Sequence, residues 1–203
     1  MSKATALAPV SWQRMAEGIE SVKNRLDRAA TALAQAGVRY AVVGGNAVAA
    51  WVSRVDTAAV RNTRDVDIML RREDMDRARA ALEAAGFVHR RVASLGKAAS
   101  MDVFLDGPEA KVRDAVHILW AGEKAVPDAI AATPELGLTE PGDGFELIPL
   151  EDLVRMKLTS FRDKDRMHLR DLNSVGLVDD TWPGRFAEVL GARLQLILDN
   201  PEG

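Results

Sequence analysis

Apolar residues recur every three or four positions near the start of the chain, with polar and charged residues between them. The pattern begins after Ser11, a favourable N-cap residue, and stops at Gly37. Its apolar positions are Trp12, Met15, Ile19, Val22, Leu26, Ala29 and Leu33. This spacing predicts an amphipathic helix whose apolar stripe faces a protein core.

Short apolar runs bounded by turn residues alternate with helical patterns in the rest of the chain. The predicted strands are Arg39–Val43, a run around Val66–Leu70 that ends near Arg71, Phe87–Ala93, Met101–Leu105, Ala115–Trp120 and Phe145–Ile148. The predicted helices are Ala47–Val52 capped by Asn46, Arg72–Ala85 closed by Gly86, Leu150–Leu172 and Pro183–Leu198. Residues 122–144 carry several prolines and glycines and predict a long connection. This order predicts an α/β (α+β) protein with a mixed β-sheet flanked by helices and a C-terminal helical extension.

Length and composition narrow the class of protein. The 203 residues fit a single domain, which we divide into a core over residues 1–149 and a helical part over residues 150–203 that packs on it. Hydrophobic residues make up 47% and charged residues 28%, as in folded proteins, and no apolar run approaches the ~20 residues of a membrane helix. The lack of cysteine excludes disulfides and cysteine-based zinc sites. We expect a cytoplasmic protein.

The charge of the whole chain does not indicate nucleic-acid binding. Its formal net charge is −3 and its pI is about 5.7, so any such contact would have to come from local clusters of basic residues. Two clusters exist: Arg54, Arg61, Arg64, Arg71 and Arg72, and Arg155, Arg162, Lys164, Arg166 and Arg170. Each is either a phosphate-binding surface or a solvated face with local ion pairs.

Two carboxylates, Asp65 and Asp67, are separated by one residue in an apolar run. Side chains alternate along a strand, so both carboxylates share one face while their apolar neighbours take the other. Carboxylates this close repel unless positive charge lies between them. A divalent cation held by one or two carboxylates and by substrate phosphates meets this need. A structural pair neutralised by Arg61 and Arg64 is the alternative.

Gly44 and Gly45 end the strand predicted over residues 39–43 and open the next helix. A chain without Cβ atoms lets the first amides of a helix approach an anion closely. Strand–helix junctions also need glycine for purely steric reasons, so this turn alone is a weak signal.

The two features together resemble a known signature. The segments Val43-Gly44-Gly45-Asn46-Ala47 and Arg61-Asn62-Thr63-Arg64-Asp65-Val66-Asp67-Ile68 are similar to those of the polymerase-beta-type nucleotidyltransferase superfamily, and most closely to those of AbiEii-type abortive-infection toxins. The resemblance continues through Leu150, Leu153, Lys157 and Lys164-Asp165, so it spans about residues 38–172.

The resemblance implies a nucleotidyltransferase fold and transfer of a nucleotidyl group from an NTP to an acceptor. Asp65 and Asp67 would act as catalytic residues that bind Mg²⁺ against the triphosphate. The residues assigned to substrate binding are Gly44, Gly45, Asn46, Arg61, Thr63 and Lys157. Lys157 is either a phosphate contact or a solvent-facing lysine.

The superfamily takes a third carboxylate from a later strand, and two positions compete for this catalytic role. Asp102 lies in the strand predicted over residues 101–105. The strand over residues 115–120 resembles the family's third strand more closely, but it carries His117 where an aspartate is expected. We expect Asp102 and His117 to face the same side of one hairpin. His117 is either a general base or a hydrogen-bonded strand histidine.

The helix predicted over residues 150–172 carries further candidate residues on one face. Lys157, Phe161, Lys164, His168 and Asp171 recur at helical spacing and predict one face of the helix over 150–172. His168 stands where the family often has a carboxylate, and we interpret it as a surface or salt-bridged residue.

The resemblance also implies a biological setting. It favours the toxin-like component of a toxin–antitoxin or phage-defence system, with a cognate antitoxin protein as partner and a tRNA end, a protein hydroxyl or a small molecule as acceptor. The alternatives are an inactive module that binds nucleotide or protein, and a small-molecule (antibiotic) nucleotidyltransferase.

Overall fold

The computed structural model describes residues 11–93 and 100–203, and within them it contains one seven-stranded sheet and six α-helices. The strands are β1 Tyr40–Val43, β2 Val66–Leu70, β3 Val88–Ala93, β4 Ser100–Leu105, β5 Ala115–Trp120, β6 Glu140–Pro141 and β7 Glu146–Leu147. The helices are α1 Trp12–Gln35, α2 Gly44–Ser53, α3 Met75–Ala84, α4 Leu150–Ser160, α5 Asp163–Ser174 and α6 Glu188–Asp199. The predicted α/β class, a mixed sheet flanked by helices, is confirmed.

The centre of the sheet brings three strand segments together. The strand order is β3-β4-β5-β2-β1-β7-β6, with β2 parallel to β5 and antiparallel to β1. In this register Asp67 of β2 lies between Val43, the last residue of β1, and His117 of β5. The glycine turn that follows β1 therefore starts beside the second aspartate.

The apolar positions of β2 anchor it in the core. Val66, Ile68 and Leu70 are fully buried, as the alternation of side chains in the sequence predicts. Burying each of these side chains contributes about 1.5–3 kcal/mol to folding. Asp65 and Asp67 are thus held at the sheet by their buried neighbours.

The C-terminal helices belong to the same hydrophobic core as the sheet. Helices α4 and α5 contact each other, and both contact α2 and α6, whereas α1 contacts α3 and the strands β2 and β5. Leu153 of α4, Leu169 of α5 and Leu194 of α6 lie in one buried cluster with the central strands. The division of the chain between residues 149 and 150 stays a prediction.

Only the second half of α1 uses its apolar stripe as predicted. Leu26, Ala29 and Leu33 are buried, but Trp12 is 85% exposed and Met15 is 58% exposed. The helix has 24 residues and is therefore about 36 Å long, whereas strands of five or six residues span only about 17–20 Å. Within the described residues, the first half of the stripe is therefore left uncovered.

The predicted helix over residues 150–172 is wrong in its length, because the chain breaks it at Phe161. Phe161 adopts a left-handed conformation with φ of 46°, and α5 begins again at Asp163. The carboxylate of Asp165 stabilises this break, since it accepts hydrogen bonds from the Arg162 backbone N–H at 3.3 Å and from the Ser160 hydroxyl at 2.7 Å.

Other boundaries differ from the predicted ones by a few residues. Single 3₁₀ turns, Arg72–Asp74 and Pro183–Arg185, precede α3 and α6, as is common at helix starts. The connection over residues 122–144 contains the short strand β6. Within the two described ranges, none of the helices is both long and apolar enough to cross a membrane.

Candidate active site

The glycine turn lies directly against the second aspartate. Gly44 has a φ of +69°, and a Cβ atom at this position would lie 1.9 Å from Asp67 Oδ2. At Gly45, a Cβ atom would lie 2.8 Å from Thr63 Oγ1. Side chains are excluded at both positions, so the backbone of the turn reaches the carboxylate and the loop before β2.

The start of α2 offers backbone amides to a ligand. The helix begins at Gly44 with Val43 as its N-cap residue, and in the described part of the chain no side chain caps it. The first N–H groups of a helix have no partner inside it. The prediction that Asn46 caps this helix is wrong, because its side chain instead donates to the backbone carbonyl of Asp65 at 2.7 Å. This bond ties α2 to the loop that carries the first aspartate.

The two carboxylates differ in their surroundings. The Asp65 side chain is 28% exposed, and its Oδ2 lies 3.7 Å from Lys164 Nζ. The Asp67 side chain is 17% exposed. Burial alone would raise the pKa of Asp67, but the contact with His117 and the charges of His117, Lys164 and Lys157 outweigh it and lower the pKa. Asp67 is therefore ionised at neutral pH.

His117 is fixed by a backbone carbonyl on one side and faces Asp67 on the other. Its Nε2 lies 2.8 Å from the carbonyl oxygen of Val112, and its Nδ1 lies 3.5 Å from Asp67 Oδ1. Burial alone would lower the pKa of His117, but its contacts with Asp67 and Val112 and the charge of Asp65 outweigh burial and raise the pKa. The contact forms because Asp67 of β2 lies directly opposite His117 of β5.

The structure separates Asp102 from this site. His117 is paired with Val103 across β4 and β5, so Asp102, one residue before, points to the opposite face of the sheet. There Asp102 is 2% exposed and its Oδ1 lies 2.8 Å from His89 Nε2 and 3.5 Å from Arg91 Nε. The prediction that Asp102 and His117 share one face is wrong, because register fixes the face of every side chain in a strand.

Lys157 lies inside the protein, so the interpretation as a solvent-facing lysine is wrong. It is 4% exposed, and its Nζ lies 3.3 Å from Asp165 Oδ1. Burial lowers the pKa of Lys157, and the charges of Asp165 and Asp67 oppose this only in part. Burial alone would raise the pKa of Asp165, but hydrogen bonds from Arg162 and Ser160 and the charge of Lys157 hold it at about 2.

Two ion pairs hold α5 against the loop before β2. Lys164 pairs with Asp65, and Arg61 Nε donates to Asp171 Oδ1 at 2.7 Å. The Arg61 side chain is mostly exposed despite this ion pair. Helical spacing puts His168 on the same face of α5, between Lys164 and Asp171.

His168 is buried, so its interpretation as a surface or salt-bridged residue is wrong. It is 7% exposed, and within the described residues its Nδ1 has no hydrogen-bond partner. Burial and the charge of Lys157 lower the pKa of His168 to about 4, so it is neutral at neutral pH. The chain thus has a neutral, buried imidazole close to the basic groups of the site.

The donors present suit a divalent cation that is shared with a nucleotide. Asp65 and Asp67 offer hard oxygen atoms beside amides, and the Asp67 carboxylate fits against the turn because Gly44 has no Cβ. Among the residues that the structure describes, no three His, Cys, Asp or Glu side chains gather closely enough to hold an ion by themselves. Substrate phosphates would therefore supply much of the coordination.

Residues 10–135 match the model of a family described as uncharacterised nucleotidyltransferase. The chain belongs to this nucleotidyltransferase family. No curated protein is similar enough to count as a match. The family covers the glycine turn and the aspartate pair, so the sequence resemblance to nucleotidyltransferases is confirmed at the level of the superfamily.

Three solved structures are similar to the chain at low sequence identity, and the first of them supports the same fold. An antigenic nucleotidyltransferase-like protein from Paracoccidioides brasiliensis is 19% identical, with a TM-score of 0.53 and coverage of 90% of each chain. The antibiotic-resistance factor ANT(2'')-Ia is 13% identical, with a TM-score of 0.47 and coverage of 92% of this chain and 90% of its own. A putative nucleotidyltransferase from H. pylori is 12% identical, with a TM-score of 0.45 and coverage of 95% and 98%. The predicted nucleotidyltransferase fold is confirmed.

Proposed function

We propose that this protein transfers a nucleotidyl group from an NTP to a hydroxyl-bearing acceptor in a reaction that depends on a divalent cation. The observation that carries the proposal is the contact between the Asp67 carboxylate and the backbone of Gly44, where a Cβ would lie 1.9 Å from Oδ2. This contact puts a carboxylate that can hold a cation beside the amides that open a helix. Metal-bound triphosphate needs both.

Each group would have a defined task. Asp65 and Asp67 would hold the cation, which neutralises charge on the triphosphate and on the leaving pyrophosphate. The amides of Gly44, Gly45 and Asn46 would bind phosphate oxygens. In the reaction, a bond forms between the acceptor oxygen and the α-phosphorus, the bond from that phosphorus to the bridging oxygen breaks, pyrophosphate leaves, and the acceptor's proton is released to solvent.

The basic groups on α4 and α5 support substrate binding as well. Lys157 and Lys164 both act on the Asp67 carboxylate, and Lys164 lies next to Asp65. Buried or partly buried positive charge of this kind attracts a polyanionic nucleotide to the site. Arg61 and Thr63 line the loop between these groups and the glycine turn, as expected for substrate contacts.

We further propose that the protein is the toxin-like component of a toxin–antitoxin or phage-defence system in the cytoplasm. The support is the resemblance of the segments 43–47 and 61–68 to AbiEii-type toxins. The acceptor would then be a tRNA end or a protein hydroxyl, and a cognate antitoxin would be the partner. Growth arrest on expression, relieved by Asp67→Asn, would support this role.

The decisive experiment is labelling. The protein is incubated with each α-³²P-labelled NTP, Mg²⁺ or Mn²⁺ and a cell extract, and the label is followed into RNA, protein and small-molecule fractions. We expect label in one fraction with wild type and with the exposed control Asp128→Asn, and none with Asp67→Asn. Label in the small-molecule fraction would favour an antibiotic-type acceptor over the toxin role.

A second candidate function is an inactive nucleotide-binding module. The observation that favours it is His117 in the place of a third carboxylate, together with the lack of a three-ligand metal cluster in the described residues. Metal-dependent binding of NTP without label in any fraction would favour this function over transfer.

A further inference from the structure

The residue that faces Asp67 from the neighbouring strand is a histidine, and this changes the chemistry of the site. We infer that His117 Nδ1 is a metal ligand beside Asp67 Oδ1, and that the site consequently prefers Mn²⁺ and similar transition-metal ions to Mg²⁺. The inference rests on the proposed function, since the ion is the one that the nucleotide would share.

The orientation of the imidazole is the first step of the argument. Its Nε2 lies 2.8 Å from the Val112 carbonyl oxygen, which only accepts hydrogen bonds, so Nε2 carries a hydrogen atom. Nδ1 is therefore the nitrogen that faces Asp67. Histidines that bind metals usually donate the other ring N–H to a backbone carbonyl or carboxylate in this way, which fixes the ring and leaves one lone pair for the ion.

The distance to Asp67 is the second step. His117 Nδ1 and Asp67 Oδ1 are 3.5 Å apart, which is too long for a good N–H···O hydrogen bond. Two ligands that each lie ~2.1 Å from one ion are ~3 to 3.5 Å apart. The spacing thus fits two ligands of a shared ion better than it fits a closed hydrogen-bonded pair.

A second histidine–aspartate pair in the same sheet provides a comparison for this distance. On the other face of the sheet, His89 Nε2 and Asp102 Oδ1 are 2.8 Å apart, and that aspartate is almost completely buried. This is the geometry of a closed histidine–carboxylate hydrogen bond. The pair at His117 is wider, its aspartate side chain is 17% exposed against 3% for Asp102, and that aspartate lies against the glycine turn.

The choice of metal follows from the ligand chemistry. Mg²⁺ takes oxygen ligands almost exclusively. An imidazole nitrogen is a better ligand for Mn²⁺ than for Mg²⁺, and it suits Co²⁺, Ni²⁺ and Zn²⁺ well. A histidine ligand brings neither the negative charge nor the hard oxygen that a carboxylate would bring to the ion. Both differences weaken Mg²⁺ binding more than they weaken transition-metal binding.

The test uses Mn²⁺ as the probe and the small number of histidines in the chain. There are only three, His89, His117 and His168, so histidine-nitrogen coupling to Mn²⁺ is assigned by single substitutions. Full-length protein labelled with ¹⁵N-histidine is loaded with Mn²⁺ and a non-hydrolysable ATP analogue, and electron spin-echo modulation records the nitrogens bound to the ion. We expect one coupled histidine nitrogen in wild type and in His89→Gln.

The informative variant is His117→Gln. Its side-chain amide can still donate to the Val112 carbonyl but places no nitrogen lone pair beside Asp67. We expect the nitrogen coupling to vanish and Mn²⁺ affinity to fall by about tenfold or more, in line with the effect of even outer-shell partners. His117→Asp should reverse the preference by raising Mg²⁺ affinity relative to Mn²⁺. Circular dichroism and thermal unfolding verify that the variants fold.

The outcomes separate the inference from the proposed function. Bound Mn²⁺ with no histidine coupling, or coupling that survives His117→Gln, overturns the inference and leaves the proposed function standing. A protein that binds no Mn²⁺ with the nucleotide analogue overturns the inference as well. Nitrogen coupling in a protein that transfers no label from any NTP would support the ligand assignment while the proposed function fails.

Discussion

Two histidine–aspartate pairs lie on opposite faces of the same sheet, and they differ in almost everything except residue type. Asp102 and His89 form a short contact at 2.8 Å in which Asp102 is almost completely buried, with Arg91 as a further partner. Asp67 and His117 stand 3.5 Å apart, next to a glycine turn and within reach of basic groups on α4 and α5. The same two side chains thus give a structural contact in one place and a candidate binding site in the other.

The difference shows that the surroundings of an ionisable pair decide its role. A buried carboxylate is stable only when its charge is compensated, and the His89 and Arg91 contacts do this for Asp102. Asp67 has more compensation than one histidine supplies, because Lys157 and Lys164 also act on it. Several positively charged side chains around a partly exposed carboxylate suit a metal-bound, polyanionic substrate.

The largest effect on activity should come from removing the Asp67 carboxylate. We expect Asp67→Asn to reduce nucleotidyl transfer by about a thousandfold, equivalent to about 4 kcal/mol, because the cation loses a charged ligand. Asp102→Asn should leave the rate within about twofold and lower the free energy of unfolding instead. Single-turnover transfer rates and urea unfolding of both variants measure this. Equal losses of activity in the two variants would contradict the assignment of Asp102 to a structural contact.

The third histidine, His168, should make the stability of the protein depend on pH. The pKa of His168 is about 4 in the folded protein against an ordinary value of 6.5, so between these values the unfolded chain takes up the proton first. The contribution of neutral His168 is fully present above pH 6.5 and is lost as pH falls towards 4, by about 3 kcal/mol in total. Urea unfolding of wild type and His168→Gln at intervals across this range measures the difference. Identical slopes in the two proteins would show that His168 is not buried as a neutral group.

Much of this arrangement is predictable from the sequence, because it depends on local patterns. The buried positions of β2 follow from strict alternation, and the glycine turn and Asp67 are recognisable by their spacing. Asp165 gives a further signal, since it occupies the same helical stripe as the buried residues Leu169 and Leu172. A carboxylate at a core position of a helix indicates a buried partner, here Lys157.

The remainder depends on tertiary contacts that no local pattern specifies. The face on which Asp102 lies is set by the pairing of β4 with β5, and a shift of one residue would have put it beside His117. At the break, Phe161 adopts a positive φ although it is not glycine, and its ring packs under the guanidinium groups of Arg166 and Arg193. The exposed first half of α1 has an apolar stripe as regular as the buried half, so its pattern alone does not distinguish them.

The position of Asp67 in the Asp67–His117 pair should also depend on the glycine turn beside it. We expect Gly44→Ala to lower the free energy of unfolding by about 2 kcal/mol or more, because the left-handed conformation costs about 1–2 kcal/mol and the new Cβ displaces the Asp67 carboxylate. Metal and nucleotide affinity should fall with it. Gly37→Ala is the matched control, since Gly37 has φ of +63° and open space at its Cβ. It should lose stability through strain alone and bind nucleotide normally, and equal effects on binding would contradict a close contact at Gly44.

The smallest effect is expected at the Asp102–His89 pair. His89→Gln keeps a hydrogen-bond donor near Asp102 but loses the geometry of the ring, and it should cost about 1 kcal/mol of unfolding free energy while Mn²⁺ and nucleotide affinity stay unchanged. Thermal unfolding and Mn²⁺ titration of the variant beside His117→Gln measure both effects. The comparison is informative in either direction: a binding defect in His89→Gln would mean that the two faces of the sheet are coupled through β4 and β5. In that case the Asp102–His89 contact would support the site, and both pairs would contribute to binding, although to different extents.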